Sequence, residues 1–239
     1  MIDLSYDLHI HSCLSPCGDN EMTPANIAGM AAVLGLNVIA LTDHNSCRNC
    51  RPFLKMAEAY GLLALPGMEL TTEEDVHVVC LFPDLYAAMD FDAYVYDRMF
   101  KIKNKEHVFG AQILYNENDQ IIGHEPNLLI SNAAISFEDV FDLTEERGGI
   151  MIPAHIEKSA NSLIANLGFV PPDSRFLCAE LKNISKLPEL KKTNPYLNQC
   201  KIITNSDAHY LEHMNEPTHF LKVQNRTIQD VLQALKCPD

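Results

Sequence analysis

Short apolar runs that stop at a histidine or a carboxylate recur along this chain, and they constrain its fold more than any other feature. Residues 6–11, 37–42, 62–65, 76–82 and 150–154 read as strands, followed by 177–181, 200–204 and 219–223. Helical signals alternate with them. Thr23 can cap a helix that has Pro24 in its first turn and Gly35 at its end. Further helices are predicted over 51–60, 87–103, 136–146 and 159–167, and Thr227 caps a last one through 235. Residues 108–114 and 119–123 read as a hairpin or a polar excursion.

Seven or eight such strand–helix units fit a barrel better than an open sheet. No glycine-rich turn follows the first strand, so a dinucleotide-binding domain is not indicated. With 47% apolar residues the chain can build a sizeable core. We expect one α/β domain over 1–239, with an insertion or lid at 104–134. No apolar run approaches the ~18 residues of a spanning helix. The N-terminus shows no basic stretch followed by an apolar one, so a cytoplasmic location is the default expectation.

The ends of the strands carry the chemistry. His9 and His11 alternate on one side of the first strand. The second runs into Thr42-Asp43-His44-Asn45. Glu69 follows Pro66-Gly67, and His77 opens the fourth strand region. His155 ends another, and Asp207 and His209 follow the strand at 200–204. Any one of these histidines alone would be unremarkable. Gathered on one rim of a barrel, they read as metal ligands. His107, His124, His213 and His219 lack comparable placement.

The segments Asp7-Leu8-His9-Ile10-His11-Ser12, Thr42-Asp43-His44-Asn45, His155 and Ser206-Asp207-Ala208-His209 resemble, in order, the PHP (polymerase and histidinol phosphatase) domain. The resemblance spans residues 5–210. It implies a distorted (β/α)7 TIM-like barrel carrying two or three divalent ions, zinc, iron or manganese. In that pattern His9, His11, Glu69 and Asp207 hold the first ion. Glu69, His77 and His155 hold the second, with Glu69 bridging. His44, His209 and the residue at 17 hold the third. Many relatives have His or Asp at that position, where this chain has Cys17. A thiolate there favours zinc or ferrous iron over magnesium or manganese. The alternatives are that Cys17 points away and water completes the site, or that the third ion is absent.

The eight cysteines read as reduced thiols, with Cys80, Cys178 and Cys200 in the core. A competing arrangement would pair Cys13 and Cys17 with Cys47 and Cys50 around a structural zinc or iron–sulfur site.

The resemblance implies a metal-dependent phosphoesterase acting on a small phosphorylated metabolite or nucleotide, with a metal-bound hydroxide as nucleophile. Glu69 would fix the spacing of the ions. Asp43 would orient a ligand or take a proton, and His209 is a candidate leaving-group acid. Arg48 and Lys158 are candidate contacts to substrate phosphate, and Glu180 a candidate support behind the ligands. A nuclease or cyclic phosphodiesterase is the alternative enzyme. A non-catalytic metal-binding sensor or interaction protein is the alternative outside catalysis. The formal charge of −14 argues against extended nucleic acid as a partner. It leaves room for a small anion, because bound cations would offset part of that charge.

Overall fold

The structure is a computed structural model and describes residues 1–238. In chain order its elements are β1 (Ile2–Ile10), α1 (Pro24–Leu34), β2 (Val38–Leu41), α2 (Cys50–Ala59), β3 (Leu63–Thr71), β4 (His77–Leu81), α3 (Leu85–Arg98), α4 (Glu106–Phe109), β5 (Ile113–Tyr115), β6 (Ile121–His124), α5 (Asp139–Glu145), β7 (Ile150–Pro153), α6 (Leu163–Leu167), β8 (Cys178–Glu180), α7 (Leu187–Thr193), β9 (Lys201–Ile203), β10 (Phe220–Val223) and α8 (Ile228–Leu235).

The strands form a curled half-barrel rather than a continuous parallel cylinder. Six of them lie in the order β10-β1-β2-β3-β4-β7, and β8 pairs with β9 in a separate two-stranded ladder. Among the described strands β1–β2, β2–β3 and β8–β9 pair parallel; β10, β4 and β7 join their neighbours antiparallel. Single contacts draw the remaining edges together. Ile156 N donates to Glu180 O at 3.0 Å, and His11 N donates to Ala208 O at 3.0 Å.

Alternation along the strands separates two cores. Leu4, Tyr6, Leu8, Val38, Ala40, Leu65, Val79, Leu81, Ile150 and Ile152 fill the inside of the curl, floored by Val231, Leu232 and Leu235 of α8. Ile39, Leu41, Met68, Leu70, Val78 and Cys80 face outward under the helices, against Phe53 and Phe91.

Two departures from the sequence-based expectation bear on the site. The third strand does not stop at Leu65 but continues to Thr71. It pairs parallel with β2 as far as Pro66 and antiparallel with β4 from Gly67 onward. The Pro-Gly pair marks where β4 joins the other edge of β3; on the first edge pairing resumes beyond β2, with Glu69 N donating to Asp43 O at 3.1 Å and Asn45 N donating to Glu69 O at 3.0 Å. Glu69 is therefore held inside a strand. The helix expected over 87–103 ends at Arg98, because Met99 turns extended (φ −65°, ψ 145°). The following residues then run beside 126–133, with bridges Met99–Ala133 and Lys103–Asn127.

The segment 104–134 contains α4 and the β5–β6 hairpin. It is tied down rather than free: the Gln112 side chain donates to Glu125 O and Asn127 O at 2.7 and 2.8 Å. Among the described residues no helix is long and apolar enough to cross a membrane.

Candidate metal centre

His9 and His11 face the inside of the curl because β1 carries a bulge. Asp7 pairs with Ile39 and Ile10 with Leu41, so three steps in β1 match two in β2. Before the bulge the even positions Leu4, Tyr6 and Leu8 point inward; after it the odd positions His9 and His11 do, and Ile10 joins the outer core. Glu69 and His77 continue the inward face of Leu65 and Val79 on their strands. His155 and Asp207 lie in left-handed backbone (φ 32° and 51°), an uncommon conformation for residues with a Cβ that recurs at functional sites.

Glu69 is the hub. Its carboxylate is 1% exposed and lies within 3.3 Å of nitrogens from five histidines: His9 (3.3 Å), His11 (3.3 Å), His44 (3.0 Å), His77 (2.9 Å) and His155 (3.2 Å). Burial alone would raise its pKa, but His77, His9 and His44 hold it well below the usual carboxylate range. Asp207 is likewise held low against burial, by His9 and His11.

Three sets of donor atoms, each within 4.8 Å of one another, overlap at this hub: His9, His11, Glu69 and Asp207; His44, Glu69 and His77; and His11, His44 and His209. The first is the quartet that the resemblance implies. In the second, His155 is not a member but keeps Nε2 3.2 Å from Glu69 Oε1. Cys17 belongs to none of the three and is exposed. Nor does any cysteine enter a ligand set among the described residues. Cys13, Cys47 and Cys50 are buried, each with its sulfur against a backbone carbonyl, which leaves the four-thiolate arrangement without support.

These residues fit a cation. His44 Nδ1 and Glu69 Oε2 approach to 3.0 Å but are misaligned, and both are buried without a hydrogen-bond partner, as is His155 Nδ1. His9 Nε2 and His11 Nε2 lie 3.1 Å apart, a contact that requires a proton between two basic atoms or a cation in its place.

In His9 and His11 the ring nitrogen facing away from the hub is fixed by a neighbour. His9 Nδ1 donates to Glu180 at 3.0 Å, and Glu180, 1% exposed, also accepts from Asn205 Nδ2 at 2.7 Å. His11 Nδ1 meets Ser15 Oγ at 2.9 Å. The Ser15 hydroxyl donates to Asp43 Oδ1 at 2.7 Å and accepts from His44 N at 3.1 Å, so the His11 nitrogen must be the donor. Both rings therefore direct Nε2 at the centre, as metal-binding histidines do. Ser12, Ser15 and Asn205 are site residues that the sequence pattern does not single out. The signal available for Ser15 is its position four residues after His11 in the same loop.

The remaining candidates divide clearly. Lys158 lines the cleft with Nζ 2.6 Å from Asp207 Oδ2. His209 also lines it, with Nδ1 donating to Asp207 O at 2.9 Å; burial and the nearby His11 push it down to about 4, so it is neutral at pH 7. Asp43 does not reach the cleft, because Ser12 N, Ser12 Oγ and Ser15 Oγ occupy its oxygens, each at 2.7 Å. Arg48 is engaged elsewhere: it pairs with Glu125 and Asp92 and stacks 4.2 Å over the Tyr96 ring. Its expected phosphate contact has no geometric basis here. The cleft above the ligands measures about 360 Å³ and is lined by His44, Glu69, His77, His155, Asp207, His209 and the loop 158–161.

A family model described as PHP domain matches residues 7–236. Among curated proteins, the chain is 34% identical over 76 residues to an uncharacterized protein of Methanocaldococcus jannaschii, covering 28% of this chain and 44% of that one. It is 32% identical over 79 residues to a 5'-3' exoribonuclease of Haemophilus influenzae, covering 32% and 28%. Among solved structures, endonuclease Q of Pyrococcus furiosus superposes with a TM-score of 0.68 at 20% identity, over 98% of this chain and 56% of that one. A Bifidobacterium adolescentis protein described as a candidate metal-dependent phosphoesterase gives 0.55 at 17% identity, over 98% and 96%. At these identities the structural likeness is one of fold. The chain spans less than half of the two curated relatives and about half of endonuclease Q.

Another similar structure is endonuclease Q bound to a 27-mer duplex with an abasic lesion at its active site, with a TM-score of 0.66 at 20% identity. That complex corrects the expectation that excluded extended nucleic acid. The fold accommodates a DNA duplex in that protein, and formal charge summed over a whole chain says little about the rim where a substrate docks.

Proposed function

The chain belongs to the PHP domain family, and from that premise we propose that it hydrolyses phosphoric esters at a cluster of two or three divalent ions on the rim of the curled sheet. The carrying observation is Glu69, one buried carboxylate against nitrogens of five histidines, with an oxygen left unpartnered. Imidazole with carboxylate suits zinc, iron or manganese. Ions held there would acidify water and neutralise charge on the phosphoryl oxygens.

The protein's own groups have separable roles in this reading. His9, His11, Glu69 and Asp207 form one ligand set, and Glu69 with His77 and His155 or His44 forms the next. His11 offers a single lone pair, since its Nδ1 proton is committed to Ser15. A third ion would then rest on His44 and His209, with water completing its shell, since Cys17 is exposed and outside the donor sets. Lys158 positions a phosphoryl oxygen, exchanging its contact with Asp207 for substrate. His209, neutral with Nε2 free, acts as a ligand rather than as leaving-group acid. Asp43 and Glu180 orient ligands and take no part in proton transfer to substrate. Residues 104–134 are fastened to the loops that carry His11 and His44 and contribute no residue to the cleft lining.

The open cleft supports turnover over a sealed sensor. Its size suits one phosphoryl group and a small attached moiety, such as a metabolite, a nucleotide or the end of a strand. A nuclease is the second reading, favoured by the local similarity to an exoribonuclease. Hydrolysis of p-nitrophenyl phosphate and bis(p-nitrophenyl) phosphate by the metal-loaded protein tests the proposal. His9→Ala and Asp207→Ala should each lower kcat/KM by about 10²-fold or more. Turnover equal to wild type in both variants would defeat it.

A further inference from the structure

The acidity of this chain is not evenly spread. From Arg98 to Lys105 the sequence Arg-Met-Phe-Lys-Ile-Lys-Asn-Lys carries four cations and no carboxylate, in a protein of formal charge −14. Arg98, Lys101, Lys103 and Lys105 are all exposed. None of them forms an ion pair among the described residues, whereas neighbouring Arg48 and Arg51 pair with Glu125 and Glu117.

The backbone gathers these cations on one exposed edge. Beyond α3 the chain runs antiparallel to 126–133, with Phe100 N donating to Asn132 O (3.1 Å), Leu128 N to Ile102 O (2.7 Å) and Asn104 N to Pro126 O (2.8 Å). The segment turns at Lys101, where Ile102 N donates to Phe100 O at 2.8 Å; Arg98 and Lys101 lie over the Tyr94 and Tyr96 rings (3.5 and 3.2 Å), and Lys103 and Lys105 follow beyond the turn. The companion stretch 126–134 contains no charged residue. Phe100 and Ile102, between the cations, are 56% and 54% exposed.

This ledge is fastened to the loops that carry the ligands. The Asn104 side chain donates to Gly110 O at 2.8 Å. Gly110 packs so tightly on Pro16 that a Cβ there would come within 2.5 Å of the Pro16 carbonyl oxygen. Pro16 follows Ser15, the partner of His11. On the other side Asn45, next to His44, donates to Leu129 O and Ser131 O, both at 2.7 Å.

We propose that residues 98–105 are a docking ledge for single-stranded nucleic acid, which delivers a phosphoester of that strand to the adjacent metal centre. Clustered exposed cations, free of carboxylate ion pairs, neutralise backbone phosphates and release their counterions. Phe100 offers a face for a base to stack on. A base can stack on that face only when unpaired, which favours a single strand over a duplex. The inference rests on the phosphoesterase reading for the chemistry it serves, not for the binding itself.

The test is fluorescence anisotropy with the metal-loaded protein and labelled phosphorothioate oligonucleotides of about 20 nucleotides, single-stranded DNA and RNA and the matching duplex, between about 50 and 200 mM salt. The variants are Lys101→Glu/Lys103→Glu/Lys105→Glu and the milder triple change to Gln, with bis(p-nitrophenyl) phosphate hydrolysis followed in parallel. We expect wild type to prefer single strands. The Glu triple variant should bind at least tenfold more weakly and the Gln triple variant less so, with the salt slope reduced by about 2 in the latter. Hydrolysis of the small diester should be unchanged. Loss of strand binding in a system that hydrolyses no ester would leave the ledge standing and overturn the proposed function. Wild-type affinity and salt slope in both variants, a preference for duplex, or no binding by wild type at low salt would overturn the ledge.

Discussion

His11 can serve the centre through only one nitrogen, because Ser15 accepts the proton on the other and is itself held by Asp43. Ser15→Ala removes that acceptor and frees the ring to rotate or change tautomer. Metal affinity, measured by competition with a chelator, should fall about 10–100-fold while the fold persists; Ser15→Thr should restore most of it. Wild-type affinity in the alanine variant would contradict the relay. The metal-free centre also stores protons. Burial opposes charge on His11, but Asp207 and Glu69 raise it to about 9, and His9 is raised well above its usual value by Glu180, Glu69 and Asp207. At pH 7 the His9–His11 pair therefore holds a proton that a cation must displace. Apparent metal affinity should rise with pH, about tenfold per unit up to pH 9 for one proton. Titration calorimetry in two buffers of different ionisation enthalpy should show at least one proton released at pH 7; none released would contradict this. The residues gathered around Glu69 were legible in the sequence, because His and Asp at the ends of successive strands converge on one rim. Ser15 and the true task of Asp43 were not, since both depend on which way a loop turns.

β1 and β3 show why elements carry what residue patterns cannot. Simple alternation from Leu8 would turn His9 and His11 outward; the bulge between Asp7 and Ile10 turns them in. The strand expected over 62–65 continues past Pro66-Gly67 because β4 joins its other edge there, while the chain beyond β2 still bonds Glu69. Such pairings are tertiary facts with no local signature. The helix predicted over 87–103 was too long for a similar reason: the uncharged stretch 126–134 offers residues 99–104 a pairing partner. Gly67 gives a direct test of the β3–β4 junction. A Cβ at this position would lie 2.8 Å from Cys80 O and Leu81 Cδ2 and 3.0 Å from Thr42 Cγ2. Gly67→Ala should destabilise the protein by about 1–3 kcal/mol in urea unfolding and lower its metal content by displacing Glu69. An unchanged midpoint with full metal content would show that the crowding is absorbed elsewhere.

At the scale of the whole molecule, a dry core inside the curl supports a polar rim that cannot satisfy itself. Leu8, Leu65, Val79 and Ile152 fill the space beneath, while buried histidines and carboxylates crowd one another above it. Aligned imidazoles and an unpartnered carboxylate oxygen at that density are costly unless a cation joins them. Formal charge misled at this scale, because a sum over the chain averages an acidic body with a local cationic edge. The central claim is that Glu69 assembles a catalytic metal cluster. Its most direct test is to purify wild type and Glu69→Gln without oxygen, quantify zinc, iron and manganese per chain, and assay phosphoester hydrolysis at once. The account predicts about two to three ions and turnover in wild type, with both lost or sharply reduced in the variant. Equal metal content and equal turnover in the two proteins would contradict it.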